Sequence, residues 1–428
     1  MRFFKLFSGI FLFIFLFPAQ LFAVATQPIK IAGIPIEFIL FGLTLLGIAL
    51  FHKQTLIVAL TGLASVLMLK IFSGFDLYHH LIGEYEVLVN LLGLLLGFAI
   101  LAKHFEESKL PEKLPHYLPN DWKGGFVLLL LTFFISIFLD NIAAAMIGGM
   151  VAMHVFKNKV HIGYLAAIVA ASNAGGAGSV VGDTTTTMMW IEGISPLTII
   201  YAFTGSLVAL LFFGIIASLQ QDKYNRIVKD ALPSITLDYG KLVIVGFILV
   251  GAIVTNILFG FPALGVWVVI AIGAFFKPTT WKEVSIALPG TIFLLSLVFM
   301  ASLMPVDELP PASWQTTFLL GFVSSVFDNI PLTKLALTQG GFDWGILAYA
   351  VGFGGSMIWF GSSAGVALTN LYPESRSVYK WIKGGWHVIV AYIIGFFFML
   401  SIVGWKASPS SLKNKKTTAA IKTPIISL

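Results

Sequence analysis

The sequence contains no cysteine and little charge. The first absence removes disulfides, thiolate nucleophiles and cysteine metal sites together, and it is silent on compartment. Charged residues make up 11% of the 428 positions, where a soluble domain carries about 25%. Hydrophobic residues reach 58%, a balance that excludes a soluble globular enzyme. Also missing are a Walker phosphate loop, a His-Glu-x-x-His zinc pattern and a nucleophile elbow. An ATP-driven pump and a membrane hydrolase are therefore disfavoured, and no cofactor is expected. The formal charge of +6 falls mostly in loops and the C-terminal tail, which points to membrane orientation and not to nucleic acid.

What is present is a series of apolar runs close to the roughly 20 residues that span a bilayer. They fall near 7–25, 36–51, 54–72, 87–105, 197–219, 240–259, 263–276, 283–304 and 384–404. The first follows Arg2 and Lys5 and precedes Ala23-Val24-Ala25, so residues 1–25 are either a signal peptide or a first transmembrane helix. The phenylalanines are expected to face lipid, and Trp381 and Trp386 to anchor at the membrane interface.

Between these runs lies a duplication. Phe134 to Ile142 reads Phe-Ile-Ser-Ile-Phe-Leu-Asp-Asn-Ile and returns as Phe322-Val323-Ser324-Ser325-Val326-Phe327-Asp328-Asn329-Ile330. Each copy is followed by a glycine pair: Gly175-Gly176 with Gly182-Asp183-Thr184, then Gly354-Gly355 with Gly361-Ser362-Ser363. The aspartates stand 188 positions apart (140 to 328) and the first glycines 179 (175 to 354), so both echoes belong to one duplication. Secondary transporters are commonly built from such repeats, with the binding site where the halves meet.

The repeated segments do not fit simple spans. A continuous helix over 126–156 would measure about 46 Å at about 1.5 Å per residue, beyond a roughly 30 Å hydrocarbon core. The reading that fits is a re-entrant hairpin, with half-helices 126–139 and 142–156 and Asp140-Asn141 at the tip. The next element, 163–195, is expected to be a helix broken at Asn173 to Ser179, where glycines release backbone groups. The second half repeats the order: a hairpin over 314–338 with Asp328-Asn329 at its tip, then a helix over 345–371 broken at Gly352 to Gly361. Pro331 suits the first turn of the helix after that tip.

The expected fold is thus an all-α polytopic membrane protein with about 10–11 crossings, two re-entrant hairpins and two broken transmembrane helices. Its halves, 36–219 and 240–404, are joined by a cytoplasmic linker over 220–239 and followed by a basic tail over 405–428. With 7–25 counted as a crossing, Lys123, Lys157 and Lys159 fall inside with Lys223, Arg226 and Lys229, and Asp307-Glu308 falls outside. The halves then form an inverted repeat. The tail, with Lys413, Lys415 and Lys416, falls outside in this count, against the positive-inside rule.

These residues resemble the ion transporter superfamily of dicarboxylate, citrate, arsenite and sodium carriers. Ser172-Asn173-Ala174-Gly175-Gly176-Ala177, Gly182-Asp183-Thr184-Thr185-Thr186, Met189-Trp190-Ile191 and Asp328-Asn329-Ile330-Pro331-Leu332-Thr333 look most like its NhaD-type sodium/proton antiporters. The resemblance covers nearly the whole chain after about residue 36. It implies elevator-type exchange of Na+, with Li+ as a second candidate, for H+ by a homodimer in the bacterial inner (plasma) membrane. Membrane lipid and monovalent cations are then its partners.

The residue chemistry points to a cation site on its own terms. Asp140, Asp183 and Asp328 are expected to converge near the midplane, and an ionisable side chain there is a functional candidate by default. A hard cation takes oxygen ligands, which Asp140, Asn141, Asn173, Asp183, Thr185, Thr186, Ser324, Asp328, Asn329, Ser362 and Ser363 supply, with Na+ held chiefly by Asp140, Asn141, Asp183 and Asn329. Burial favours a neutral carboxylate and a bound cation favours a charged one, so one aspartate holds either a proton or sodium. Each residue has a structural reading beside this one. The aspartates also suit helix N-termini, and Ser136 and Ser324, four before each aspartate, suit back-bonding to a helix carbonyl. Lys334 is expected to snorkel outward. His79 and Glu86, beside His80 and Glu84, are candidates for pH sensing, against the plainer reading of a solvated loop. The competing function is a sodium- or proton-coupled citrate or dicarboxylate carrier, for which Lys334 is the one obvious cation near a motif. A structural membrane protein fits the repeated acidic pairs poorly.

Overall fold

The computed structural model describes residues 30–51, 54–113, 118–228 and 236–408. The segment 1–25, Lys229 of the linker and the tail lysines Lys413, Lys415 and Lys416 lie outside these residues. A two-stranded turn (β1, Lys30–Ile31; β2, Ile34–Pro35) leads into α1 (Ile36–Leu50). Then come α2 (Thr55–Phe72), α3 (Leu77–Glu107), α4 (Trp122–Phe138), α5 (Asn141–Val155), α6 (Ile162–Ala177), α7 (Thr184–Ile191) and α8 (Ala202–Tyr224). The chain continues as α9 (Tyr239–Phe259), α10 (Pro262–Gly273), α11 (Lys282–Ser302), α12 (Trp314–Ser324) and α13 (Asn329–Gln339). It finishes with α14 (Trp344–Gly354), α15 (Ser363–Leu371), α16 (Val378–Gly384) and α17 (Trp386–Val403). Among the described residues, six helices are long and apolar enough to cross a membrane: Thr55–Phe72, Leu77–Glu107, Pro196–Tyr224, Tyr239–Phe259, Lys282–Ser302 and Trp386–Val403. The protein is an all-α polytopic membrane protein.

The first N–H groups of a helix have no partner within it, and four helices of this chain are capped by side chains of its own. Asp140 accepts from Ile142 N at 3.2 Å, Asp183 from Thr185 N at 2.9 Å and Asp328 from Ile330 N at 3.0 Å. Ser362 accepts from Gly365 N at 3.3 Å. These four residues open α5, α7, α13 and α15, the helices that follow the repeated motifs.

Helices α6 and α14 are apolar on every side and buried along almost their whole lengths, as expected of helices enclosed by others. They pack on each other, and each packs on the helix of its own half that precedes the acidic tip, α6 on α4 and α14 on α12. Across the halves, α5 lies against α15 and α7 against α13. A second, smaller core joins α3 to α9 and α10.

The breaks in the two central helices fall later than expected. Asn173 to Ala177 are helical and the chain leaves the helix only at 178–183; likewise Gly352 and Gly354 belong to α14 and the break spans 355–362. The glycines serve close packing instead of unwinding. A Cβ on Gly175 would sit 2.1 Å from Phe133 O and one on Gly182 2.0 Å from Ser136 O. Their counterparts meet the same obstacle, Gly354 at 2.3 Å from Gly321 O and Gly361 at 2.4 Å from Ser325 O.

Three further expectations change. Helix α3 begins at Leu77, ten residues before the apolar run at 87, because Asp76 caps it by accepting from His79 N at 3.0 Å and the polar residues of its first turns find partners. Trp381 is fully buried, its Nε1 donating to Ser356 O at 3.3 Å, whereas Trp386 is exposed. Many phenylalanines are exposed on the outside of the helices, yet Phe133, Phe156, Phe213, Phe353 and Phe396 fill the interior.

Candidate functional site

The two halves meet at one carboxylate. Asp183, 1% exposed, stands where α7 begins, and its Oδ1 is taken up by the capping bond to Thr185 N. Its Oδ2 accepts from Asn141 Nδ2 at 3.1 Å and from Asn329 Nδ2 at 3.4 Å. These asparagines are the first residues of α5 and α13, so the repeated Asp-Asn pair delivers two amides to the same oxygen.

A second layer fixes the amides. Asn141 Nδ2 also donates to Asn173 Oδ1 at 3.0 Å, and Asn173 Nδ2 donates to Ser356 Oγ at 3.0 Å and Ser362 Oγ at 3.1 Å. Asn173 therefore couples α6 to the break between α14 and α15. A charge-assisted hydrogen bond is roughly twice as strong as a neutral one, and a connected buried network holds its members in one geometry.

Asp140 and Asp328 each lie within electrostatic reach of Asp183, the carboxylate that receives the amides. No group of three acidic or histidine side chains shares an ion-sized site among the described residues. Asp140 and Asp328 are half-buried and each turns to its own helix, a capping role. Asp328 Oδ2 also accepts from Ser363 Oγ at 3.1 Å, and both line a cavity of about 260 Å³ together with Ile142 and Asn370. Asp140, Asp183 and Asp328 each stand at a helix N-terminus, where the dipole favours a carboxylate.

The hydroxyl candidates divide. Thr185 Oγ1 is buried beside Asp183 without a hydrogen-bond partner of good geometry among the described residues, which leaves its oxygen open to a ligand. Thr186 Oγ1 donates to Ser179 O at 2.5 Å and to Asp183 O at 2.9 Å, closing the break before α7. Ser324 Oγ donates to Val351 O at 2.7 Å on α14, whereas Ser136 Oγ has no partner among the described residues. His79 and Glu86 are both exposed, in the N-terminal part of α3, with His79 Nδ1 2.5 Å from Asp76 Oδ2.

Four residues of this region have neighbours that the sequence reading did not assign them. Ser356 directly follows the glycine pair and is visible only through Asn173. Gly352 faces the site: a Cβ there would stand 3.7 Å from Asp183 Oδ2 and 3.2 Å from Ala177 Cβ. It occupies the place that Asn173 holds in the first half, by the same offset of 179 (173 to 352). Glu84 and Glu192 are the others. Lys334 does not snorkel; it is 1% exposed, with Nζ 2.6 Å from Glu84 Oε2 and 2.6 Å from Glu192 Oε1. Lys334 cannot reach water from the middle of α13, so it is neutralised in place.

Sodium/proton antiporter 1 of Arabidopsis thaliana is 28% identical, over 69% of this chain and 58% of its own length. The Na+/H+ antiporter NhaD of Vibrio cholerae is 26% identical, over 76% of this chain and 80% of that protein. NhaD of Halomonas elongata is 26% identical, over 64% and 65%. The chain thus spans little more than half of the plant protein and most of the Vibrio one. Residues 38–354, from α1 to the end of α14, match the family described as citrate transporter (CitMHS). That span includes the aspartate, both tip asparagines and Asn173, and the chain belongs to the citrate transporter family.

Proposed function

We propose that this protein is a secondary active transporter that exchanges Na+, and also Li+, for H+ across a bacterial inner membrane. The observation that carries the reading is the convergence of Asn141 and Asn329 on one oxygen of Asp183. An amide presents a donor to a charged carboxylate and, turned over, an oxygen to a cation. The buried Thr185 hydroxyl, the oxygens of Ser356 and Ser362, and the carbonyls freed at the two breaks complete a hard-oxygen environment. Sodium and the proton compete for the same carboxylate, and that exclusion is sufficient for exchange.

The rest of the mechanism follows from the pairing of elements. Helices α4 to α7 and α12 to α15 act as one moving unit, an inverted repeat of two re-entrant hairpins and two broken helices, sliding elevator-fashion against the other helices of a homodimer. The matched glycine contacts, at offsets of 188 to 189 on one side and 179 on the other, support that repeat. The cavity beside Asp328 and Ser363 gives the cation its approach.

The family's description and the antiporter names of the relatives point to different cargo, and the site favours the cation. An organic anion would sit on helix N-termini or a free cationic group. Here the N-termini of α5, α7, α13 and α15 are filled by Asp140, Asp183, Asp328 and Ser362, and Lys334 is held by two glutamates. The test is reconstitution in liposomes containing a pH dye, with sodium, lithium, potassium, citrate and succinate added in turn. Proton movement on sodium or lithium that vanishes in Asp183→Asn is the expected result. Proton movement only with an acid would move the protein to anion carriage, and full exchange in a well-inserted Asp183→Asn would remove Asp183 from the role.

A further inference from the structure

We propose that α16 is a docking surface for anionic phospholipid headgroups, and that a headgroup bound there steadies the network around Asp183. The docking surface stands by itself, whereas its effect on the cation site rests on the exchange reading above. Of the seven residues of α16 only Trp381 is buried. Val378, Tyr379 and Ile382 are exposed, as is Trp386 just beyond the helix, and the exposed Lys380 and Lys383 stand among them. Lys383 Nζ lies 5.8 Å from the centre of the Tyr379 ring, which keeps the ammonium against the same apolar face. A helix that turns aromatic and aliphatic groups outward with lysines between them suits the boundary of a bilayer, where the apolar groups sink toward acyl chains and the ammonium groups meet phosphate.

The charge of this surface calls for an anion. Lys380 and Lys383 make no ion pair among the described residues, and Glu374 is the one acid between Tyr372 and Trp386. Arg376 is turned away, donating through Nη2 to Asn370 Oδ1. The next loop adds to the positive side. A Cβ on Gly163 would sit 2.4 Å from Gly384 O, so the end of α16 lies at the start of α6. Gln221 of α8 donates to Lys159 O at 3.1 Å and accepts from His161 N at 2.7 Å, which brings the exposed Lys159 and Lys223 to the same end of the bundle. The nearby Asp222 is paired with Arg226 at 3.6 Å. An anionic phospholipid matches both properties of α16, acyl chains for its apolar side chains and a net negative headgroup for its lysines; a zwitterionic headgroup carries its own cation and matches only the first.

Trp381 carries the effect inward. Its Nε1 donates to Ser356 O at 3.3 Å, and Ser356 Oγ accepts from Asn173 Nδ2 at 3.0 Å. Asn173 Oδ1 accepts from Asn141 Nδ2, which also donates to Asp183 Oδ2. The indole that anchors α16 is therefore four hydrogen bonds from the cation carboxylate. Helix α16 also packs on α6, the helix that bears Asn173. A headgroup that fixes α16 at the membrane surface fixes the indole, and with it Ser356 and the amide of Asn173. Sodium then meets a site already arranged to receive it, which lowers the concentration it needs.

Two measurements test the surface and its effect separately. Full-length protein in detergent micelles is titrated with phosphatidylglycerol and, in parallel, with phosphatidylcholine, and its melting is followed. Phosphatidylglycerol should raise the melting temperature more, and in Lys380→Gln with Lys383→Gln the lipid concentration for half the rise should increase roughly 25-fold, about five-fold for each lysine. Equal effects of the two lipids, or an unaltered titration in the double variant, would overturn the docking surface; should the double variant not fold, each single variant decides by its five-fold shift. The sodium concentration for half-maximal exchange is then found in phosphatidylcholine vesicles with and without phosphatidylglycerol. The surface charge of such vesicles gathers sodium for any carrier, so the unaltered protein is compared with Trp381→Phe, which keeps both lysines and lacks the N–H that reaches Ser356. Phosphatidylglycerol should lower the sodium requirement about five-fold further in the unaltered protein, the worth of one hydrogen bond, and the double lysine variant should behave as Trp381→Phe does. Equal drops in all three would overturn the effect on the cation site alone. No exchange in the unaltered protein would overturn the exchange reading and that effect with it, while the melting titration still decides the docking surface.

Discussion

Asp183 works through one oxygen. Its Oδ1 holds the start of α7, so only Oδ2 is left to face a cargo, and that atom receives amides from both halves of the chain. Removing a partner from a buried charged group costs about 1.5–3 kcal/mol, which is roughly 10- to 100-fold in affinity. Asn141→Ala and Asn329→Ala are therefore each expected to raise the sodium concentration for half-maximal exchange by roughly that factor, read from dye-loaded proteoliposomes at fixed pH. Asn173→Ala should have a smaller effect, since Asn173 touches Asp183 only through Asn141, and the pair Asn141→Ala with Asn173→Ala should fall short of additivity. Additive losses would show that Asn173 acts on the cation separately. At this scale the sequence was informative where a motif repeats. The Asp-Asn pairs and the Gly-Asp-Thr block name Asn141, Asp183 and Asn329. Residues that occur once, such as Glu84, Glu192 and Ser356, have no echo to mark them, and Lys334 read in isolation suggested the wrong environment.

At the level of elements, the glycines separate into two physical kinds. Gly182 and Gly361 lie within 2.0 Å and 2.4 Å of a carbonyl oxygen once a Cβ is added, so neither neighbour can yield without moving backbone. Gly182→Ala and Gly361→Ala should each lower stability by about 1–3 kcal/mol, the usual cost of overpacking. Gly246, inside α9 with nothing within 4 Å, should gain by about 1 kcal/mol on becoming alanine, from helix propensity alone. Melting of the purified variants in detergent checks the order, and a destabilised Gly246→Ala together with a neutral Gly182→Ala would contradict it. The same distinction explains what the sequence could not fix. Apolar run lengths and the repeated motifs located most of the helices to within a few residues, because hydrophobic length is a local property. Whether a glycine unwinds a helix or lets another chain segment touch it depends on a partner more than 30 residues away, as Phe133 is from Gly175. The start of α3 was hidden for a related reason: the polar residues of its first turns look like a loop until Lys334 is placed beside Glu84.

For the whole molecule, cation binding and proton binding should appear as opposite pulls on stability. A ligand that binds only the folded protein stabilises it by about 2.7 kcal/mol at 100 times its dissociation constant. Sodium should therefore raise the melting temperature in detergent at alkaline pH. Because protons compete for Asp183, the sodium-induced rise should shrink as pH falls, and it should be absent in Asp183→Asn at every pH. A rise of equal size across the pH range, or one that persists in Asp183→Asn, would place the cation elsewhere.

The halves of the chain are alike in outline and unlike in charge. Where the first half has Asn173 and Asp183, the second has Gly352 and Ser362 at the same offset of 179. The copies are specialists: the first supplies charge, and the second supplies room and a hydroxyl. The two halves cannot stand in for each other, and a chain fused from two first halves would set aspartate against the Asn173 network on both sides and lose the single site that the present division of labour creates.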